Sequence, residues 1–323
     1  MKPGLLSRRS VIAAGAVTLA GCARTRRSGD VRRGEESLVS IVRQPGYTQD
    51  LYDTVRRILA DQRLDVRGKS VVLKPNLVEF EPGSVINTNP MLVHAALEAF
   101  RGMGAASVRI AEGPGHRRGT LDLADAAGYF KIIPGFDDLF TDLNLDDVSL
   151  VRFADPVSRL KSLYLPQTAL GCDLLVSMPK MKTHHWAVAT LSMKNLFGVV
   201  PGGVYGWPKN VLHWAGIAQC ITDINKVFPR TFALVDGVVG MEGNGPIQGT
   251  AKAAGVIVAG KDAAAVDATC CRIMRIDPLH IEYLRLSRND AELAESAIRQ
   301  TGETIASVGS PFELLPQFRS ARL

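Results

Sequence analysis

The sequence predicts an α/β domain of three layers, a mostly parallel β-sheet flanked by helices, with a small extra lobe. Three observations lead there. From Leu38 onward, apolar runs of strand length alternate with amphipathic segments of helical period. Runs such as Val71-Val72-Leu73 and Asp173 to Met178 are short and largely apolar, as strands buried on both faces require. Several runs end in a polar cluster containing Pro or Gly, and strand–helix–strand units of this kind build parallel sheets through right-handed crossovers.

Leu38 to Val42 reads as the first strand. Asp50 is placed to cap a helix running to about Gln62, with Leu51, Val55, Ile58 and Leu59 on one face. The strand Val71 to Leu73 ends at Lys74-Pro75-Asn76, where proline stops regular pairing. Pro90 opens a helix reaching Phe100, which Gly102 and Gly104 help to end. The strand Val108 to Ala111 closes with Glu112-Gly113-Pro114-Gly115. Gly128 to Leu170 is less regular, and its two strands, near Val148–Phe153 and Leu160–Leu165, belong to a sheet edge or to the small lobe. Asp173 to Met178 is another strand, and Ala187–Phe197 and Val211–Val227 read as helices. Phe232–Val235 and Gly255–Ala259 are strands, Ala263–Met274 is a helix, and the remainder is mostly helical. The 323 residues, 46% of them hydrophobic, are ample for a core.

The first residues carry an address. Lys2, Arg8 and Arg9 precede an apolar run, Val11 to Ala20, that is shorter than the roughly 20 residues a membrane-spanning helix needs. Ser7-Arg8-Arg9-Ser10-Val11-Ile12 resembles the twin-arginine export signal, with Val-Ile in place of the usual Phe-Leu. Leu19-Ala20-Gly21-Cys22 resembles a lipobox, which implies lipidation of Cys22. The expected organisation is a signal peptide over 1–21, a lipidated cysteine and basic linker over 22–37, and one α/β domain over 38–323. The expected location is the cell envelope, anchored to a membrane by lipid, on the periplasmic face if the cell has two membranes. Ala23 follows the cysteine instead of the common inner-membrane retention aspartate, which points toward the outer membrane in such a cell.

The formal charge of +6 does not describe the domain. Lys2, Arg8, Arg9, Arg24, Arg26, Arg27, Arg32 and Arg33 are opposed by Asp30 alone through residue 33, so the rest of the chain is close to neutral. No nucleic-acid partner is expected of a domain without a basic excess. The basic linker is suited to anionic headgroups or to a solvated tether. Beyond Cys22 the cysteines are Cys172, Cys220, Cys270 and Cys271. No Cys-x-x-Cys occurs, so no iron–sulfur cluster or zinc ribbon is expected. The four read as small buried apolar residues, with a Cys172–Cys220 disulfide left open. The glycines of 240–249 match neither the dinucleotide fingerprint nor the P-loop.

Ligands of open parallel sheets bind beyond the carboxyl ends of the strands. Polar residues gather there: Lys74 and Asn76, then Glu112, then Lys180, Lys182, Thr183, His184 and His185, then Asp236, with Lys194 and Asn195 from a following helix. The lysines and the two asparagines are the candidate binders of a carboxylate or phosphate. Crowded ammonium groups depress one another's pKa, which frees an amine as base or nucleophile. His184 is a candidate base, ligand or metal donor. Its neighbour His185 should diverge from it, and His213 reads as a core residue. Glu112 and Asp236 are candidates for acid–base work or for a divalent cation, or they cap turns and pair with lysines. The cofactor is otherwise open. Gly198 to Gly206 reads as a flap or an ordinary surface loop.

Five segments resemble the bacterial and archaeal family known as domain of unknown function 362. They are Lys74-Pro75-Asn76-Leu77-Val78, Met178 through His184, Met193-Lys194-Asn195-Leu196-Phe197-Gly198, Val235-Asp236-Gly237, and Gly260-Lys261-Asp262 with Asp267. The resemblance implies the fold and the place of the site rather than a reaction. Some members carry a ferredoxin module whose cysteines this chain lacks. Three functions stay open. The first is an enzyme on an anionic small molecule, a racemase- or isomerase-like reaction being one chemistry. The second is a lipoprotein that captures an anionic solute or envelope polymer. The third is a redox or assembly partner.

Overall fold

Burial that alternates along the strands sorts the sheet into two covered faces. Val71, Leu73, Ile110, Val176 and Leu234 pack with the helices Leu51–Asp61 and Pro90–Gly102. The intervening Val72, Ala111 and Leu175 pack on the other side with helix Ile217–Val227. Farther along the sheet, Val39, Ile41, Val235 and Val258 meet helix Ala263–Ile273 on that side. Successive side chains of a strand point to opposite faces, so these sets make the three layers. Each fully buried Val, Leu or Ile contributes about 1.5–3 kcal/mol.

The structure is a computed structural model that describes residues 37–115 and 119–323. The expected signal segment, Cys22 and the linker through residue 36 lie outside the described residues. The strands are β1 Ser37–Arg43, β2 Ser70–Pro75, β3 Ser107–Glu112, β4 Phe140–Asp142, β5 Val148–Arg152, β6 Ser162–Pro166, β7 Leu174–Met178, β8 Lys180–His184, β9 Val188–Thr190, β10 Thr231–Glu242, β11 Thr250–Gly260 and β12 Ile298–Gly302. The main sheet runs β12-β1-β11-β10-β7-β2-β3-β4, with β8 on β10 and β9 on β8. From β10 to β4 every pairing is parallel. Strand β11 is antiparallel to both β10 and β1, while β12 joins β1 in parallel. The small lobe is the antiparallel pair β5–β6, whose Leu163 and Leu165 share a core with helix Ile217–Val227.

The structure corrects four local expectations. Ala187–Phe197 is not one helix. Val188–Thr190 is a strand, and only Ser192–Asn195 is α-helical before a 3-10 turn, Leu196–Val199. Val211–Val227 is two helices, Asn210–Trp214 and Ile217–Val227, broken at Gly216 with φ 103°. Asp50 stands at the helix start but makes no side-chain cap; it accepts a hydrogen bond from Gln44 Nε2 at 3.2 Å. The stretch 198–206 is not loop throughout, since Gly202–Tyr205 is a helical turn whose Gly202 N donates to Asn144 Oδ1 (2.7 Å) and Gly203 N to Asn144 O (3.0 Å). Among the described residues no helix is long and apolar enough to cross a membrane. Cys220, Cys270 and Cys271 are buried thiols, and Cys172 and Cys220 are not joined.

Candidate functional site

Strand β8 places the most chemistry in the fewest residues. Alternation puts Lys180, Lys182 and His184 on one face and Met181 and Thr183 on the other. Met181 enters the core, and the Thr183 hydroxyl donates to Gly243 O at 2.9 Å. Parallel pairing with β10 sets Lys180 beside Asp236. Strands β7, β2 and β3 bring Lys74 and Glu112 to the same end of the sheet.

Two of the four candidate lysines are neutralised. Lys74 Nζ lies 2.8 Å from Glu112 Oε1, both side chains being buried. Glu112 also accepts from the backbone N–H of Leu77 (3.1 Å) and of Gly113 (3.0 Å). Gly198 is required beside this pair, since a Cβ there would fall 2.5 Å from Glu112 Oε1 and 2.8 Å from Lys74 Nζ. Lys180 Nζ lies 2.6 Å from Asp236 Oδ2 and 2.8 Å from the Tyr47 hydroxyl. Asp236 further accepts from Tyr47 (2.7 Å) and from Asn89 N (2.9 Å), at the start of helix Pro90–Gly102. Burial lowers the pKa of both lysines and their carboxylates partly restore it. Glu112 and Asp236 therefore act as fixed counter-charges that also bind loop backbone. Among the described residues no group of three His, Cys, Asp or Glu is placed to hold a metal ion.

Among the described residues the other two lysines have no carboxylate partner. Lys182 is buried, its Nζ donating to Ile86 O (2.9 Å) and Pro246 O (3.3 Å). Burial, and after it the charges of Lys194 and Lys180, hold its pKa well below the usual lysine range. Lys194 sits 5.5 Å from the Phe197 ring centroid, and burial brings its pKa down to about 8. Thr190 lies directly opposite Lys182 across β8–β9, and its hydroxyl is buried with no hydrogen-bond partner.

His184 is nearly buried. Its Nδ1 accepts the backbone N–H of Trp186 (2.9 Å) and Ala187 (3.1 Å), which leaves the proton on Nε2. Burial, then Lys194 and His185, push its pKa far below the normal range, so the ring is neutral. His184 thus presents a donor, and work as a base would forfeit two backbone hydrogen bonds. The expected divergence of the two histidines does not occur. Their rings stack at 4.7 Å, with His185 Nδ1 donating to Gly245 O at 2.8 Å. His213 is not a core residue either. It is half-buried, edge-on to Trp186 (5.6 Å) and Phe197 (5.7 Å).

The two candidate asparagines differ in their bonding. Asn195 Nδ2 donates to Lys74 O (3.0 Å) and to Ser177 Oγ (3.1 Å). Asn76 N donates to Thr88 Oγ1 (2.9 Å), while its own Oδ1 is buried without a partner. Asp267 accepts from the N–H of Ser192 (2.7 Å) and Met193 (2.9 Å), holding the short helix that carries Lys194. Burial pushes its carboxyl up to about 8 against those two bonds. Sequence reasoning missed Tyr47 and Lys209. Lys209 is buried, donates to Gly113 O (2.5 Å) and Gly198 O (3.3 Å), and is brought down to about 7 by burial. Its only local signal is its place after the glycine-rich stretch.

The family model described as Domain of unknown function (DUF362) matches residues 71–272, more than half of the chain and all of the site except Tyr47. A thylakoid-associated protein of Synechocystis sp. (strain ATCC 27184 / PCC 6803 / Kazusa) is 28% identical over 243 residues, covering 70% of this chain and 71% of that protein. Among solved structures, the lactate racemase apoprotein from Thermoanaerobacterium thermosaccharolyticum aligns with a TM-score of 0.44 at 15% identity, over 74% of this chain and 57% of that one. A structural-genomics protein from Thermotoga maritima aligns with a TM-score of 0.36 at 11% identity, over 74% of this chain and 58% of that one. The chain thus spans less than two thirds of either solved chain, and likeness at these scores carries nothing about activity.

Proposed function

The chain belongs to the domain-of-unknown-function 362 family, and we propose that it is an enzyme acting on a small molecule bearing a carboxylate or phosphate. The observation that carries this reading is the division of the lysines. Lys74 and Lys180 have carboxylate partners at 2.8 and 2.6 Å, whereas Lys182 and Lys194 have none among the described residues. Uncompensated buried cations cost several kcal/mol, and an arriving anion offsets that cost. The Nε2–H of neutral His184 and the unpartnered hydroxyl of Thr190 supply neutral donors beside them.

The same burial supplies a base. Burial brings Lys194 down to about 8 and holds Lys182 well below the usual lysine range, so either amine can accept a proton from a carbon beside the anionic group. Return of that proton to the other side of the carbon is a racemase- or isomerase-like reaction. The proposal includes export by the twin-arginine route and anchoring through Cys22, so that this chemistry takes place at the cell envelope.

The test pairs binding with exchange. Replacing Lys182 and Lys194 together by methionine should weaken binding of acetate and inorganic phosphate, measured by calorimetry, by at least about tenfold, the loss of one charged contact or more. Unchanged affinity in a folded double variant would remove the anion assignment. Proton NMR in D2O on a panel of 2-hydroxy and 2-amino acids then separates catalysis from capture. Loss of the C2–H signal identifies turnover, and tight binding of acids recovered unaltered identifies a capture protein.

A further inference from the structure

We propose that the anion site continues into the cavity beside Trp186, so that the molecule it takes carries an apolar flank, a single ring or short branched chain, next to its anionic group. This rests on the anion-binding reading above and narrows it.

The cavity measures about 230 Å³, and Trp186, Val188, Ile217, Ala218, Tyr283 and Phe318 are among the residues that line it. Its polar lining residues His280, Glu282 and Ser320 are exposed, as is Trp186, whereas its buried ones, Val188, Ala218, Tyr283 and Ala321, are apolar or aromatic. The Tyr283 hydroxyl is buried in this wall with no hydrogen-bond partner among the described residues. An apolar inner wall with one free hydroxyl under a polar rim is a composition suited to a small-molecule pocket. A cavity of roughly 150 Å³ is enough for benzene. This one therefore suits one ring with a short substituent.

Trp186 joins the cavity to the cations. Its ring lines the cavity and stands edge-on to His185 (4.6 Å) and to His213 (5.6 Å). His213 touches Phe197 at 5.7 Å, and Phe197 carries Lys194 over its face. A single run of ring contacts thus leads from the unpaired ammonium to the apolar wall. Trp186 is 62% exposed, a large apolar surface left uncovered beside a site for anions.

The turn that presents Trp186 is strained. Val188 holds φ at 63°, a left-handed conformation that is costly for a β-branched side chain. Register sets this residue opposite His184. The strained valine thereby fixes the tryptophan between the histidine pair and the cavity.

The test is calorimetry on the signal-free protein with two pairs of probes, acetate against phenylacetate and methylphosphonate against phenylphosphonate. The phenyl member of at least one pair should bind about tenfold tighter or more, the scale of one group filling an apolar pocket. Ala218→Phe, which fills the cavity, should bring that ratio below about threefold. Trp186→Ala, which opens the wall, should also shrink it. Equal affinities within both pairs would overturn the apolar flank and leave the anion reading standing. A ratio that survives both substitutions would place the flank elsewhere and also overturn it. If no probe binds, the anion reading falls and this inference with it.

Discussion

Removing both members of the Lys74–Glu112 pair should cost less than the sum of removing each alone. The pair lies at 2.8 Å, with 1% and 2% of the two side chains exposed. At an effective dielectric of about 20, charges at that separation attract by about 6 kcal/mol. Desolvation of the two ions offsets most of this, so the intact pair adds little net stability. Glu112→Gln keeps the shape but leaves the Lys74 ammonium buried without a counter-charge, and it turns an amide toward Leu77 N or Gly113 N. A loss of about 3–5 kcal/mol is expected. Lys74→Met should lose a similar amount. The double variant should recover about 1–3 kcal/mol relative to additivity, the coupling typical of groups in contact. Urea titration of all four proteins, with the slope checked for constancy, measures each value. Additivity within about 0.5 kcal/mol would refute the coupling, and a Glu112→Gln loss below about 1 kcal/mol would refute its burial cost.

Other outcomes follow from single contacts. Lys209 has a folded pKa of about 7, below the unfolded lysine value. Between pH 7 and about 10.5 the unfolded chain binds the extra proton, so stability should rise with pH, by at most about 1.4 kcal/mol per unit. Thermal melts from pH 7 to 9.5 should show this rise flattened in Lys209→Met. Gly198→Ala drives a Cβ into the Lys74–Glu112 pair and should lower stability by about 1–3 kcal/mol in urea titration. Val188→Gly should cost little despite the lost packing, because it relieves a strain of about 1–3 kcal/mol; a loss above about 3 kcal/mol would mean that the left-handed valine is unstrained. Cys22→Ser in the exporting host should move the protein from the membrane fraction to the soluble fraction, as blotting of the two would read.

The strands were legible because β2 and β7 are short apolar runs buried on both faces, and β3 keeps Val108, Ile110 and Ala111 buried although Ser107 and Arg109 are exposed. Their polar ends were legible for the same reason, since Lys74 and Glu112 stand where the apolar run stops. Strand β8 was harder. Lys180-Met181-Lys182-Thr183-His184 alternates with period two, yet its charged face is as buried as its apolar one. A periodicity rule assigns charge to solvent, and partners such as Asp236, the Tyr47 hydroxyl, Ile86 O and Pro246 O make this burial tolerable. Ala187 to Phe197 contains no internal breaker, so nothing local announces that Val188 turns left-handed and ends any helix there. Tyr47 lies 189 residues from Asp236, and no local pattern encodes that contact.

The division among the lysines also determines which variants can speak about chemistry. Asp236 binds the N–H that opens helix Pro90–Gly102, and Glu112 binds the N–H of Leu77 and Gly113. Loss of Lys74 or Lys180 therefore frees a buried carboxylate that also holds a loop, and lost activity there would not separate a reaction from a fold. Lys182 and Lys194 have no such partner among the described residues. Replacing either by methionine removes a buried or crowded charge whose neutralisation is already favoured, so the folded state should hold or gain stability. Lost binding in a Lys182→Met or Lys194→Met protein that melts at or above the wild-type temperature reads on the ligand alone. A melting temperature well below wild type in both would mean that these ammonium groups stabilise the fold. The two carbonyls on Lys182 and the ring under Lys194 would then be their true partners, and no vacant anion site would remain between them.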